Sequence, residues 1–193
     1  MNNAKPDIDF TGKQPLLQHL RAAVTLQDPQ QITDAVRGIL STMLSNGEIE
    51  LPTECWQASD DGYARRMLHH QPNEFCVMAM TWGPGQGTHI HDHCGMWCVE
   101  GVLTGNIEVV QFELADQSSG RYKFDRCGTM FTGPGSAGSL IPPHEYHTIR
   151  NPDADNVAIS IHVYSGEMTT CNVFAPADDG WYQREQRQLS CDG

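Results

Sequence analysis

From Leu51 onward the chain is built of short alternating or apolar runs separated by Gly, Pro, Asn and Asp, and this punctuation constrains the fold more than any other feature. The runs are Phe75 to Trp82, Met96 to Leu103, Asn106 to Phe112, Gly138 to Ile141 and Val157 to Tyr164. Such runs at close spacing predict an all-β sandwich or barrel. Upstream the period changes. Ile32, Ala35, Val36, Ile39, Leu40, Met43 and Leu44 recur at helical spacing, with Asp28 as N-cap, Pro29 at the first helical position and Asn46-Gly47 as the stop. An earlier helix is predicted from near Pro15, turning Leu16, Leu17, Leu20, Ala23 and Val24 inward. The expectation is one mainly β domain over 193 residues: N-terminal helices at 14–47, a barrel at 51–175 and a C-terminal extension at 176–193.

Charge narrows the partners. Twenty-four acidic against twelve basic side chains give a formal net charge of -12, which repels phosphate backbones and anionic membranes and argues against nucleic acid. The N-terminus, MNNAKPDIDFTGKQP, has no basic-then-apolar export pattern, and no run approaches the length of a membrane span. A cytoplasmic protein is expected, and nothing demands more than a monomer. Seven cysteines, an odd number with no CxxC pair, read as reduced thiols in that compartment.

The chemistry concentrates in histidine. His89, His91 and His93 stand at i, i+2 and i+4, which in a strand places them on one face. At a rise of about 3.3 Å per residue the outer two lie about 13 Å apart, so only adjacent members can chelate one ion. His89/His91 and His91/His93 both remain open on spacing alone. A third ligand is supplied by Pro142-Pro143-His144-Glu145-Tyr146-His147, where His147 opens an alternating run and His144 reads as turn. In Ala158 to Tyr164, Ser160, His162 and Tyr164 share one strand face, either solvated or turned into the barrel.

Gly85-x5-His91-x-His93 with Gly105 resembles the first motif of the cupins, and Pro142-x4-His147-x3-Asn151 the second. Two positions depart from the pattern: Cys98 stands where a ligand Glu is usual, and His144 where a Gly is. A three-histidine cupin with Cys in that place resembles the cysteine dioxygenases. The likeness extends from Tyr63 to Cys171, through Tyr63-Ala-Arg65, Trp82-Gly83, His91-Asp-His93, Cys98, His147 and Ser160-Ile-His162-Val-Tyr164.

This resemblance implies a jelly-roll-like cupin barrel holding Fe(II) on His91, His93 and His147, with His89 outside the ligand set. It implies that O2 is added to the sulfur of L-cysteine to give the sulfinate. Tyr164 is then a catalytic hydroxyl oriented by His162 and Ser160, Arg65 the carboxylate anchor with Tyr63 beside it, and Cys98 with Tyr164 a thioether crosslink. Three neutral imidazoles leave the full metal charge to attract a thiolate, and three facial ligands leave room for both substrates. An Arg at position 65 implies cysteine rather than 3-mercaptopropionate. Three other readings compete: a different small-thiol dioxygenase, a metal-dependent cupin isomerase or hydrolase, and a sensing module. The isomerase or hydrolase needs a carboxylate, for which Glu100 is nearest but off the motif's register. The sensing module has no use for an oxygen-handling Tyr.

Overall fold

The computed structural model describes residues 7–192, so the part of the N-terminal stretch before Asp7 that was read for an export signal lies outside the described residues. Helix α1 spans Lys13–Ala23 and α2 spans Pro29–Ser45. The carboxylate of Asp28 accepts from the Gln31 backbone N–H at 3.0 Å, satisfying one of the free donors of the first turn of α2. Leu16, Leu17 and Leu20 on α1 and Val36, Leu40 and Met43 on α2 are buried, which is the stripe that the helical period predicts. No helix among the described residues is long and apolar enough to cross a membrane.

Eleven strands follow among the described residues: β1 (Ala64–Gln71), β2 (Phe75–Trp82), β3 (Ile90–His91), β4 (Cys98–Thr104), β5 (Ile107–Ser118), β6 (Arg121–Thr132), β7 (Ala137–Leu140), β8 (His147–Arg150), β9 (Ala158–Tyr164), β10 (Thr170–Pro176) and β11 (Tyr182–Gln188). One sheet runs β1-β2-β9-β4-β7. The other runs β10-β11-β6-β5-β8-β3 and closes through β3 pairing back on β10. The ladders are antiparallel, as in a jelly roll.

The first sheet is covered on both faces, and its alternation sorts the side chains. Phe75, Val77 and Ala79 of β2, Val99 of β4 and Ile159, Ile161 and Val163 of β9 join the helices in one apolar cluster. Cys76, Met78, Met80 and Trp82, with Cys98, Val102 and Tyr164, turn the other way into the barrel. The N-terminal helical layer thus shields the outside of the sheet whose inner face carries the polar side chains of β9. At the β4–β5 turn Gly105 has φ +74, and a Cβ there would stand 2.7 Å from Ala158 Cβ, so both its backbone conformation and its clearance require glycine.

The structure departs from the sequence reading at several places, among them β6 and β10, which were not announced as strands. Residues 176–193 were expected as an extension, but Tyr182–Gln188 pairs along the whole of β10 and, at Tyr182 and Gln183, with β6, so this part of the tail belongs to the second sheet. Its sequence, Tyr-Gln-Arg-Glu-Gln-Arg-Gln, carries no apolar alternation because its side chains are almost all exposed, and only backbone pairing recruits it. β1 was likewise unannounced, since Arg65 and Arg66 interrupt its apolar pattern while being buried themselves.

Candidate metal centre

Antiparallel pairing of β3 with β8 sets His91 directly opposite His147. Their ring centroids lie 4.2 Å apart, and the ring of His93 sits 5.5 Å from His91 and 5.1 Å from His147. One ring nitrogen from each lies within 4.8 Å of the other two, so the three can converge on one ion with bonds of about 2 Å. His93 and His147 are each 1% exposed, His91 is partly exposed, and His89 lies on the surface outside the cluster. The strand ends at His91, so the shared strand face predicted for all three histidines is not formed. Instead, Asp92 fixes the loop that carries His93. Its Oδ1 accepts from the backbone N–H groups of Cys94 (3.2 Å) and Asn172 (3.0 Å), and its Oδ2 accepts from Asn172 Nδ2 at 2.7 Å.

The surroundings select the metal-binding form of these rings. His91 Nδ1 faces the His89 carbonyl at 3.1 Å and His147 Nδ1 faces the Glu145 carbonyl at 2.7 Å. A carbonyl only accepts, so each Nδ1 carries the proton and each Nε2 lone pair is left for a cation. Burial lowers the pKa of His91, and it lowers those of His93 and His147 well below the usual imidazole value, the neighbouring rings adding to the effect. All three are neutral at neutral pH. His93 Nδ1 is buried with no hydrogen-bond partner among the described residues, a polar atom that a cation site accounts for. An iron or zinc ion fits this donor set.

The second motif is explained by packing. Asn151 is fully buried, and its Nδ2 donates to the carbonyls of Trp82 and Gly83 (3.2 Å each) and of Asn156 (2.7 Å), clamping the end of β2 onto the loop after β8. Sequence reasoning gave Asn151 and Asp92 only motif positions; their clamping role depends on contacts distant in the chain.

Ser160, His162 and Tyr164 turn into the barrel and are buried, which decides between the two readings of that strand face. Trp82 Nε1 donates to Ser160 Oγ at 2.9 Å, Ser160 Oγ meets His162 Nε2 at 2.8 Å, and Tyr164 Oη lies 3.3 Å from His162 Nδ1. The Tyr164 ring stands edge-on to His93, with centroids 5.5 Å apart, so the chain of contacts reaches the histidine cluster. Burial lowers the pKa of His162 to about 3, with the Arg65 charge a smaller cause, and raises that of Tyr164 well above its ordinary value. Imidazole and phenol are therefore both neutral.

A cavity of about 330 Å³, counting its mouth, is lined by the three histidines, Tyr63, His162 and Tyr164. Tyr63 stacks on Trp82 with ring centroids 4.4 Å apart. Cys98 is fully buried, directly opposite Tyr164 across β4 and β9, with Sγ 3.8 Å from His162 Nδ1. Arg65 is buried one layer behind the wall: Nη2 donates to the carbonyl of Met168, a wall residue, and Nη1 to that of Ser190, both at 3.2 Å. Nε has no partner among the described residues. Glu100, given no place by the motif, is buried with Oε2 3.6 Å from His162 Nδ1.

A jelly roll carrying three converging histidines, two from an HxH segment and one from a strand paired to it, is a cupin with a metal site. This chain belongs to the cysteine dioxygenase type I family, whose model matches residues 35–177. It is 26% identical over 120 residues to cysteine dioxygenase type 1 of Rattus norvegicus and 26% over 112 residues to that of Homo sapiens, the matches covering 58% of this chain and 55% of each relative. The chain thus spans just over half the length of the curated relatives it matches. Among solved structures it is similar to the Schizosaccharomyces pombe Cnp3 cupin domain, with TM-score 0.45, 12% identity, and coverage of 62% of this chain and 70% of that one. It is also similar to an uncharacterized conserved protein with a double-stranded beta-helix domain from Klebsiella pneumoniae, with TM-score 0.45, 19% identity, and coverage of 58% and 79%.

Proposed function

We propose that this protein is an iron-dependent thiol dioxygenase that converts L-cysteine to cysteine sulfinate in the cytoplasm. The observation that carries this reading is a buried centre of three neutral histidines, with Cys98 instead of a carboxylate at the usual fourth position and a Ser160-His162-Tyr164 chain beside it. His91, His93 and His147 would hold iron, which when bound supplies a redox-active cation able to bring a thiolate and O2 together. A site without an anionic protein ligand keeps its positive charge for the substrate sulfur.

The chain's own residues do the rest. Ser160, held by Trp82, fixes the His162 ring, and His162 in turn aims the Tyr164 hydroxyl. Tyr164, kept neutral by burial, acts as a hydrogen-bond donor to the oxygen-bearing substrate. Tyr63 lines the cavity, and Arg65, held behind the wall by the Met168 and Ser190 carbonyls, would have to turn its planar guanidinium inward to anchor the substrate carboxylate. Cys98, opposite Tyr164 in the strand register, would supply the sulfur of a thioether to that ring. The engagement of both terminal Arg65 nitrogens with backbone carbonyls favours a second reading, in which 3-mercaptopropionate or another small thiol is the substrate.

Metal analysis combined with oxygen-electrode assays on cysteine, cysteamine and 3-mercaptopropionate tests the proposal. Bound iron with uptake on cysteine is expected. Uptake on a different thiol selects the second reading, and zinc without uptake on any rejects the oxygenase.

A further inference from the structure

A second cavity, of about 420 Å³ counting its mouth, lies behind the Ser160-His162 pair, and apart from Glu100 and the hydroxyls of Thr132, Ser136 and Ser160 its walls are mostly apolar. The alternation of β4 sends Glu100 inward with Cys98, two residues away, and the strand register puts it directly opposite His162. Glu100 is 9% exposed, and Oε2 has no hydrogen-bond partner among the described residues. Burying such a group without a bond is costly, so a packing role does not account for it. His162 Nδ1 lies 3.6 Å from Oε2, and this is the nitrogen that also faces Tyr164 Oη at 3.3 Å. One atom of His162 therefore faces the reaction cavity through Tyr164 and the second cavity through Glu100.

We propose that Glu100 is the proton acceptor of the active site, drawing a proton from the thiol through Tyr164 and His162 and releasing it by way of the second cavity. This inference rests on the thiol dioxygenase reading. That reaction, RSH + O2 → RSO2⁻ + H⁺, transfers four electrons from sulfur to O2, places both oxygen atoms on sulfur, and liberates one proton per turnover. The S–H bond breaks as its proton passes to the Tyr164 oxygen. With the ring proton of neutral His162 on Nε2, toward Ser160 Oγ, the bare Nδ1 accepts the Tyr164 proton and hands that same proton to the Glu100 carboxylate, where a new O–H bond forms. Transfer in and out through the same ring nitrogen needs no ring flip. Protonation of Glu100 leaves no net charge on His162, whose burial opposes one.

Burial raises the pKa of Glu100 to about 7, near the value best suited to accepting and returning a proton at neutral pH. The titratable groups facing it are His162 and Tyr164 from β9 and Cys98 from β4, all held neutral by burial. β5, β6, β7 and β8 contribute only uncharged side chains to this cavity. Glu100 touches no substrate; it acts through His162.

The test compares iron-loaded wild type with Glu100→Gln and Glu100→Asp, and adds infrared titration of the metal-free proteins. Glu100→Gln should keep iron content and KM for the thiol while kcat at neutral pH falls about tenfold or more. The rise of kcat with pH through about 7 should vanish in Glu100→Gln and return, displaced, in Glu100→Asp. In metal-free wild type a protonated carboxyl stretch should titrate near pH 7 and be missing from Glu100→Gln. Superimposable pH profiles of an active wild type and Glu100→Gln overturn the relay alone, as does the absence of that infrared band. Wild type with iron and no oxygen uptake overturns the oxygenase reading and the relay with it.

Discussion

Replacing Glu100 by glutamine changes how the stability of the metal-free protein depends on pH. Its carboxyl titrates at 4.5 when solvated and at about 7 in the fold, because burial opposes the charge. The folded state therefore binds the proton more tightly than the unfolded chain. Between these two pKa values the folded state holds more protons, so this residue's contribution to stability falls as pH rises. The shift of about 2.5 units at 1.36 kcal/mol each amounts to about 3 kcal/mol, fully present below pH 4.5 and lost above about 7. The buried histidines work oppositely. Their folded pKa values lie below the unfolded value of 6.5, so the unfolded chain protonates first and stability falls as pH drops below 6.5. Wild type and Glu100→Gln share those histidines, and the difference between them isolates Glu100. Urea unfolding of both metal-free proteins from pH 4.5 to 8 should show Glu100→Gln gaining about 3 kcal/mol on wild type across the window, with flat ends. Any cost of burying the new amide is independent of pH and only offsets the curve. Parallel curves would refute the argument that Glu100 is desolvated and unpaired.

Arg65→Ala should raise KM for cysteine strongly in steady-state oxygen uptake; unchanged KM and kcat would remove Arg65 from the pocket. Turned-over enzyme should lose two hydrogens at the Cys98–Tyr164 pair by intact-mass and peptide analysis, and an unaltered mass after many turnovers contradicts a crosslink. Trp82→Phe keeps an aromatic ring against Tyr63 but removes the donor to Ser160, and should cost about 1 kcal/mol or more in urea unfolding. Asp92→Ala releases the loop carrying His93 and should weaken metal binding about tenfold by competitive chelator titration; equal affinity would show that the loop holds itself.

The division between what was legible in the residue order and what was not follows the range of the forces involved. Helix α2 could be read to its caps because Asp28, Pro29 and Asn46-Gly47 act within one turn. β2 and β9 were legible because burial on both faces leaves a nearly unbroken apolar or alternating record. β11 was not, because exposed side chains record nothing of the backbone pairing that holds it. At the metal centre, spacing alone left His89/His91 and His91/His93 equal. The pairing of β3 with β8, and the Asp92–Asn172 bonds beyond it, bring His91, His93 and His147 together and leave His89 outside.

The sequence by itself determined the ingredients: helices ahead of a β-barrel, two histidine-bearing segments, a polar strand face and a cysteine where a carboxylate is usual. Tertiary structure decided which of those groups lie within reach of one another and which are shut off from water. Burial and contact between residues distant in the chain, such as His91 with His147 or Glu100 with His162, have no local signature in the sequence. Glu100 is the clearest case: it was an off-register carboxylate in the sequence, and the packing of β4 against β9 makes it an unpaired acid beside His162.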